Sequence, residues 1–269
     1  MSSEAAPPHI VVQNLEKRFG SFVALTGVSM TIARGEVAVI IGGSGAGKTT
    51  LLKILIGLDR PTGGNIEVNG ESIVGLSERQ LNRVRQRFGM VFQYSALLDS
   101  MNVLENVAFP LREHTKLKEK EIRERVAEKL GVLGLRGTEG KFPSELSGGM
   151  RKRVGLARAL MLEPEAVLYD EPTSGLDPIT SRKVDDLIVE TRERFGVTSI
   201  VISHDMAGAL RIADQIVLLS GGKVVAAGPP RELVASGATL LREFIDSSGI
   251  EADRLLGERR SMAAPEKRD

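Results

Sequence analysis

The sequence predicts an α/β fold, and three observations predict it. Three short runs are almost wholly apolar: Glu36 to Ile41 (EVAVII), Ala166 to Tyr169 and Ser199 to Ile202. Such runs suit strands buried on both faces of a sheet. A Gly-rich loop follows the first run and leads into TTLLKILIGL, whose apolar residues recur with helical spacing. A long stretch from about Gln93 to Leu162 is mostly helical in pattern.

The elements read as follows along the chain. Residues 1 to 8 form a short flexible start. His9 to Leu15 and Phe22 to Ile32 alternate apolar and polar residues, as half-buried strands do. The buried run, the Gly-rich loop and the helix come next. Pro61 to Gly64 is a turn cluster, and Ile66 and Val68 belong to another short strand. Within the helical stretch, KLKEKEIRERVAEKL is strongly charged and amphipathic, the pattern of a solvated helix face. The two later apolar strands are each followed by a loop. Gln215 to Leu219 and Lys223 to Ala227 read as a strand pair joined through Gly221 and Gly222. The polar tail beyond Ile245, ending APEKRD, lacks the apolar content to order itself.

Composition narrows the function. Hydrophobic residues at 42% and charged residues at 26% give ample material for a core in 269 residues. A net charge of +1, from 36 basic and 35 acidic side chains, offers no nucleic-acid footprint. With no Cys, disulfides and Cys-ligated metals are excluded. No basic-then-apolar leader opens the chain. No run approaches the roughly 18 to 20 apolar residues of a membrane-spanning helix, so any membrane role is expected through partners.

Three motifs carry chemistry. GGSGAGKT comprises Gly42, Gly43, Ser44, Gly45, Ala46, Gly47, Lys48 and Thr49, with Thr50 next, and it sits between a buried strand and a helix. Its glycines let backbone N–H groups close around phosphate oxygens, and the helix N-terminus adds donors and a favourable dipole. Lys48 supplies charge to the β- and γ-phosphates, and Thr49 a ligand for Mg²⁺. AVLYDE, Ala166 to Glu171, delivers two carboxylates at a strand's C-terminal end. Asp170 is expected to hold the Mg²⁺ shell, and Glu171 to orient or polarise the attacking water. LSGGM, Leu146 to Met150, places Ser147, Gly148 and Gly149 at the start of a helix, a second anion site. Taken alone, LSGGM is also a plain helix cap.

GGSGAGKT, LSGGM and LYDEPTSGLDP, in that order, resemble the ATP-binding cassette superfamily from about Val11 to Leu233. The resemblance implies a P-loop (RecA-like) ABC ATPase core with an antiparallel β subdomain and a helical subdomain, here about residues 94–162. It implies a nucleotide-binding domain over residues 1–245 and an extension over 246–269. It implies ATP as substrate with Mg²⁺. It also assigns roles: Phe19 in LEKRFG stacks on adenine, and Gln93 in VFQ senses Mg²⁺ and the membrane subunit. Ser174 to Asp177 form the D-loop, and His204 in ISHD is the switch at the γ-phosphate. Taken singly, Phe19 reads equally as core, Gln93 as surface and His204 as a satisfied histidine at a strand end.

In the superfamily two subunits face head to tail, so LSGGM of one closes on the ATP of the other. Met150 stands where the common motif has Gln, and a thioether cannot supply an amide's hydrogen bonds. LSGGM, together with SALLDSMNVLENVAFPLREHT (Ser95 to Thr115) and DPIT (Asp177 to Thr180), looks like the ATPase of Mla/Mce-type lipid transporters. That resemblance implies a second copy of the chain, integral membrane permease subunits and a hexameric Mce-domain lipid-binding protein. Some members also carry a small STAS-domain protein. It places the chain at the cytoplasmic face of a bacterial inner membrane, with Leu97 to Pro110 receiving the permease's coupling helix; core packing is an equal reading for the apolar members of that segment. An importer ATPase for amino acids or ions shares every catalytic motif. A soluble ABC protein of translation or repair is disfavoured by the single uninterrupted cassette. In the tail, Leu255 and Leu256 read either as docking on the second subunit or as part of a dispensable solvated end.

Overall fold

The computed structural model describes residues 8–93, 95–236 and Ile245. Two sheets organise it. The first is antiparallel, in the order β2-β1-β4-β5, with β1 Pro8–Phe19, β2 Phe22–Ala33, β4 Gly63–Val68 and β5 Glu71–Ser72. The second has the order β10-β9-β3-β8-β7-β6. Its members are β3 Val37–Ile41, β6 Phe88–Val91, β7 Ala166–Asp170, β8 Thr198–Ser203, β9 Gln215–Ser220 and β10 Lys223–Gly228. The strands from β9 to β6 run parallel, and β10 pairs antiparallel to β9 at the edge.

The apolar runs follow from this layering. All five residues of β3 and all six of β8 are buried. Alternate side chains point to opposite faces of a strand, and each face has its own core. Ala38, Ile40, Leu168, Ile200, Ile202, Val217 and Leu219 pack with the antiparallel sheet and with Leu51, Leu52, Ile54 and Leu55 of α1 (Lys48–Leu55). Val37, Val39, Ile41, Val167, Tyr169 and Val201 pack with helices on the other side. The helix after the Gly-rich loop is thus wedged between the two sheets.

The second face is covered by α3 Val103–His114, α4 Glu119–Val132, α5 Gly148–Ala159, α6 Pro178–Phe195 and α7 Met206–Ile212. The charged stretch read from sequence is α4, with Ile122, Val126 and Leu130 buried and its charges outward. Side-chain oxygens cap four of these helices, each accepting an orphan N–H of the first turn. Asn102 caps α3, Ser147 α5, Asp177 α6 and Asp205 α7. Pro178 at the first turn and Gly196 with φ 65° at the end bracket α6.

Six elements are absent from the sequence reading. They are the two-residue strand β5, α2 Glu78–Arg85, the short strand β6, α6, α7 and α8 Pro230–Ser236. The Asp-Pro start and Gly stop of α6 were its available signal. β6 offers only FGMV, too short and too little β-branched to announce a strand. The strands at residues 9–15 and 22–32 extend into one long hairpin closing at Phe19 and Phe22. Among the described residues, no helix is long and apolar enough to cross a membrane. The expectations for 246–269, including Leu255 and Leu256, lie outside the described residues; Ile245 itself is buried.

Candidate functional site

Parallel strands present their C-terminal ends to one edge, and four neighbouring strands end here in the residues singled out by sequence. β3 runs into Gly42–Lys48, β8 into His204, β7 into Asp170 and Glu171, and β6 into Gln93. Residues far apart in sequence therefore converge where α/β sheets bind ligands.

Gly42 to Thr50 turn from β3 into α1. Gly45 has φ 77° and Gly47, the residue before α1, φ 100°. A Cβ on Gly47 would stand 2.7 Å from the Ala24 carbonyl of β2. Only glycine fits both the left-handed backbone and that close approach. Gly43, Ser44, Gly45 and Thr49 are exposed, while Gly42 and Ala46 are buried. The Lys48 amine donates to the carbonyl oxygens of Gly42 at 2.6 Å and Gly43 at 3.1 Å, and lies 4.0 Å from Glu171 Oε1.

Glu171 takes φ 47°, in the left-handed region that a non-glycine residue seldom adopts. Its N–H is anchored on the Ile202 carbonyl of β8 at 2.9 Å. Its carboxylate, mostly buried, spans Lys48 on one side and His204 on the other, with Oε2 2.8 Å from His204 Nδ1. His204 is 63% exposed by side chain and is therefore not a core histidine. Burial, and then the neighbouring Glu171 charge, push the Asp170 carboxyl above its usual range; Lys48 and Lys53 pull against them.

Gln93 Nε2 donates to Ser174 Oγ at 3.0 Å, joining the loop after β6 to the segment before α6. The Lys152 amine, buried on α5, donates to the Gln93 carbonyl. Burial lowers the Lys152 pKa. Arg158 of α5 donates to the carbonyls of Ser95 and Ala96, both at positive φ. Lys152 and Arg158 were missed by the sequence reading. Their signal, two cations on the inner face of an amphipathic helix, resembles any solvated pair until the fold buries them. Asp177 accepts from the N–H groups of Ile179 and Thr180 and from the Thr180 hydroxyl, so its carboxylate is engaged in capping α6.

Ser147, Gly148 and Gly149 open α5, with Ser147 Oγ accepting from Met150 N at 3.3 Å. No hydrogen bond or ion pair joins them to Gly42–Thr50 among the described residues. Met150 is half-buried and packs against the helical core. Phe19, at the end of β1, is 49% exposed, and Lys17 Nζ stands 4.7 Å from its ring centroid.

Comparison with known proteins agrees with this arrangement. Residues 25–174 match the family model described as ABC transporter. The probable ribonucleotide transport ATP-binding protein mkl of Mycobacterium tuberculosis H37Rv is 45% identical over 241 residues, 90% of this chain and 67% of that protein. The intermembrane phospholipid transport system ATP-binding protein MlaF of Escherichia coli K12 is 45% identical over 219 residues, 81% of each chain. Its Haemophilus influenzae counterpart is 42% identical over 236 residues, 88% of this chain and 89% of that one. Among solved structures, cbiO1 of Clostridium perfringens, part of the transporter complex cbiONQ, superposes with TM-score 0.80 at 32% identity, covering 94% of this chain and 99% of that one. The dimeric cassette MJ0796 in a post-hydrolysis state with ADP and Pi gives TM-score 0.73 at 33% identity, covering 82% and 98%.

Proposed function

The chain belongs to the ABC transporter family of ATP-binding subunits, and from that premise we propose that it drives phospholipid transport between bacterial membranes as one half of a head-to-tail pair. It is an ATPase. The observation that carries the assignment of roles is the convergence of Lys48, Glu171 and His204 at one sheet edge.

In this reading Gly42 to Thr50 cradle the phosphates, with Lys48 neutralising charge between the β- and γ-groups. Glu171, held by its left-handed backbone beside Lys48, polarises the attacking water. His204 sits against the γ-phosphate and keeps the Glu171 carboxylate oriented. Phe19 stacks on the base. The donor set suits Mg²⁺: the Thr49 hydroxyl, the Asp170 carboxylate and the Gln93 side-chain oxygen are hard oxygen ligands. No group of three or more His, Cys, Asp or Glu that could hold a metal occurs among the described residues. An ion that takes its other ligands from phosphates and water needs no such cage. Bound there, Mg²⁺ would neutralise charge on the phosphate oxygens. Ser147, Gly148 and Gly149 then serve the ATP of the second copy, since they do not meet their own chain's phosphate loop.

Lys152 and Arg158 give this pair a route to the membrane. They clamp the backbone after Gln93 from the helix that starts at Ser147. Beside that segment lies a groove of about 530 Å³ walled by Phe88, Met90, Phe92, Leu98 and Phe109. Phe92, Leu98 and Phe109 are each about 40% exposed. It is the proposed seat of a permease's coupling helix at the cytoplasmic face of the inner membrane, with an Mce-domain protein and a STAS-domain protein as further partners.

The test is purification of the tagged chain from membranes, followed by reconstitution in vesicles. An integral permease and an Mce-domain protein are expected to accompany it, and ATP-dependent movement of phospholipid to follow. A complex that instead moves ribonucleotides, as the name of the mycobacterial relative suggests for that protein, would overturn the phospholipid assignment.

A further inference from the structure

Lys17 is a buried cation with an unusual set of neighbours. It lies on β1 two residues before Phe19, so the two side chains share a strand face. Only 10% of its side chain is exposed. Its amine donates to Asp59 Oδ1 at 2.6 Å and to the Arg60 carbonyl at 2.7 Å, and stands 4.7 Å from the centroid of the Phe19 ring. Asp59 is fixed in turn: its N–H donates to the Lys53 carbonyl at 3.2 Å, and its Oδ1 also accepts from Arg60 N at 2.7 Å. Lys53 lies in the last turn of α1, the helix whose first residue is Lys48.

The hairpin that carries Phe19 is pinned at its other side as well. Register slips by one residue between Lys17↔Leu25 and Arg18↔Val23. The residue left over is Ala24, whose carbonyl meets Gly47 of the phosphate loop. One helix therefore holds the phosphate loop at its start and, through Asp59 and Lys17, the face of an aromatic ring at its end.

We propose that Lys17 is a positioning residue for the nucleobase of the bound nucleoside triphosphate, fixing the Phe19 ring from one face so that the base stacks on the other. The proposal rests on the reading of Phe19 as the base-stacking residue. A cation over a ring face draws on its negative quadrupole and so leaves the opposite face a better partner for an electron-rich base. A ring 49% exposed at a hairpin end would otherwise lose rotamer freedom on binding.

Base-free tripolyphosphate separates phosphate binding from base binding. Affinities of the full-length chain for ATP and for tripolyphosphate, each with magnesium, are measured by calorimetry for wild type, Phe19→Ala, Lys17→Met, Lys17→Arg and Asp59→Asn. Lys17→Met is expected to weaken ATP roughly 3- to 30-fold, the range of a desolvated cation–ring contact, and to leave tripolyphosphate unchanged. Lys17→Arg should restore most of the loss, and Asp59→Asn should fall between. Should Lys17→Met prove unfolded, Asp59→Asn carries the same comparison. Equal weakening of both ligands, or an unchanged ratio with only a lower melting temperature, overturns the proposal and leaves Phe19 as the stacking residue. An unchanged ATP affinity in Phe19→Ala overturns the stacking reading itself.

Discussion

Nδ1 of His204 and Oε2 of Glu171 lie 2.8 Å apart, although the two residues end different strands. A carboxylate in its ionised form can only accept, and the imidazole then donates from Nδ1. The contact ties the residue after β8 to the residue after β7, and Lys48 completes the row from β3.

Glu171→Gln keeps the shape of that row and removes the carboxylate proposed as its base. Turnover should fall about 10²- to 10⁴-fold, the usual worth of a positioned general base, while ATP still binds and the paired state accumulates. Single-turnover hydrolysis and size-exclusion chromatography in ATP read both effects. His204→Ala should slow hydrolysis and leave ATP affinity within a few-fold. Wild-type turnover in Glu171→Gln would move the catalytic role elsewhere.

Lys48→Ala removes the cation from the proposed phosphate loop. Charge-assisted hydrogen bonds contribute about 1.5–3 kcal/mol each, so ATP affinity should drop at least tenfold and turnover disappear. Equilibrium binding and phosphate release measure the two. Near-normal hydrolysis would sink the assignment of the loop.

Asp185 of α6 and Arg211 of α7 form a buried ion pair, 2% and 7% exposed. Breaking it from one side strands a charge, which costs about 3–5 kcal/mol. Asp185→Ala should show that loss in urea unfolding, and Asp185→Leu with Arg211→Met should recover most of it. Additive losses in the double variant would mean that the two do not act as a pair.

His9 is 1% exposed, hydrogen-bonded through Nδ1 to Thr198 Oγ1 at 2.6 Å, with Nε2 3.5 Å from Glu165. Burial lowers its pKa below 6.5, and the nearby Arg34 charge adds to this. The unfolded chain then binds the extra proton more readily than the native one. Stability conferred by the neutral ring is complete above the ordinary pKa and is lost as pH falls through the lowered one. Between about pH 7 and pH 5 the wild type should lose stability relative to His9→Gln, read by urea titration at each pH. Parallel curves would show that His9 does not titrate in that window.

Sequence carried much of this and stopped where contacts became long-range. Val37–Ile41 and Thr198–Ser203 were legible because both faces of those strands are buried, which leaves no polar residue to blur them. Lys48 and Glu171 stood out because a Gly-rich loop or an apolar strand leads into each, whereas His204 was assigned only through the family resemblance. The reach of Lys152 to the Gln93 carbonyl, 59 residues away, was not legible. Neither was Lys17 to Asp59, which depends on how the hairpin lies against the end of α1. A lysine reads as solvated until the fold supplies a wall and an acceptor.

Ser147–Gly149 stand apart from the phosphate loop of their own chain, and genetics can exploit the division. If one polypeptide lends its LSGGM to the nucleotide of the other, each composite centre draws half its parts from each copy. A chain carrying Lys48→Ala and a chain carrying Ser147→Arg should each be inactive as homodimers. Mixed together, they form heterodimers that gather both lesions into one centre and leave the other centre intact. Co-expression of the two defective alleles should then restore hydrolysis that neither allele shows alone. Silence in the mixed population would place both halves of the chemistry within a single chain.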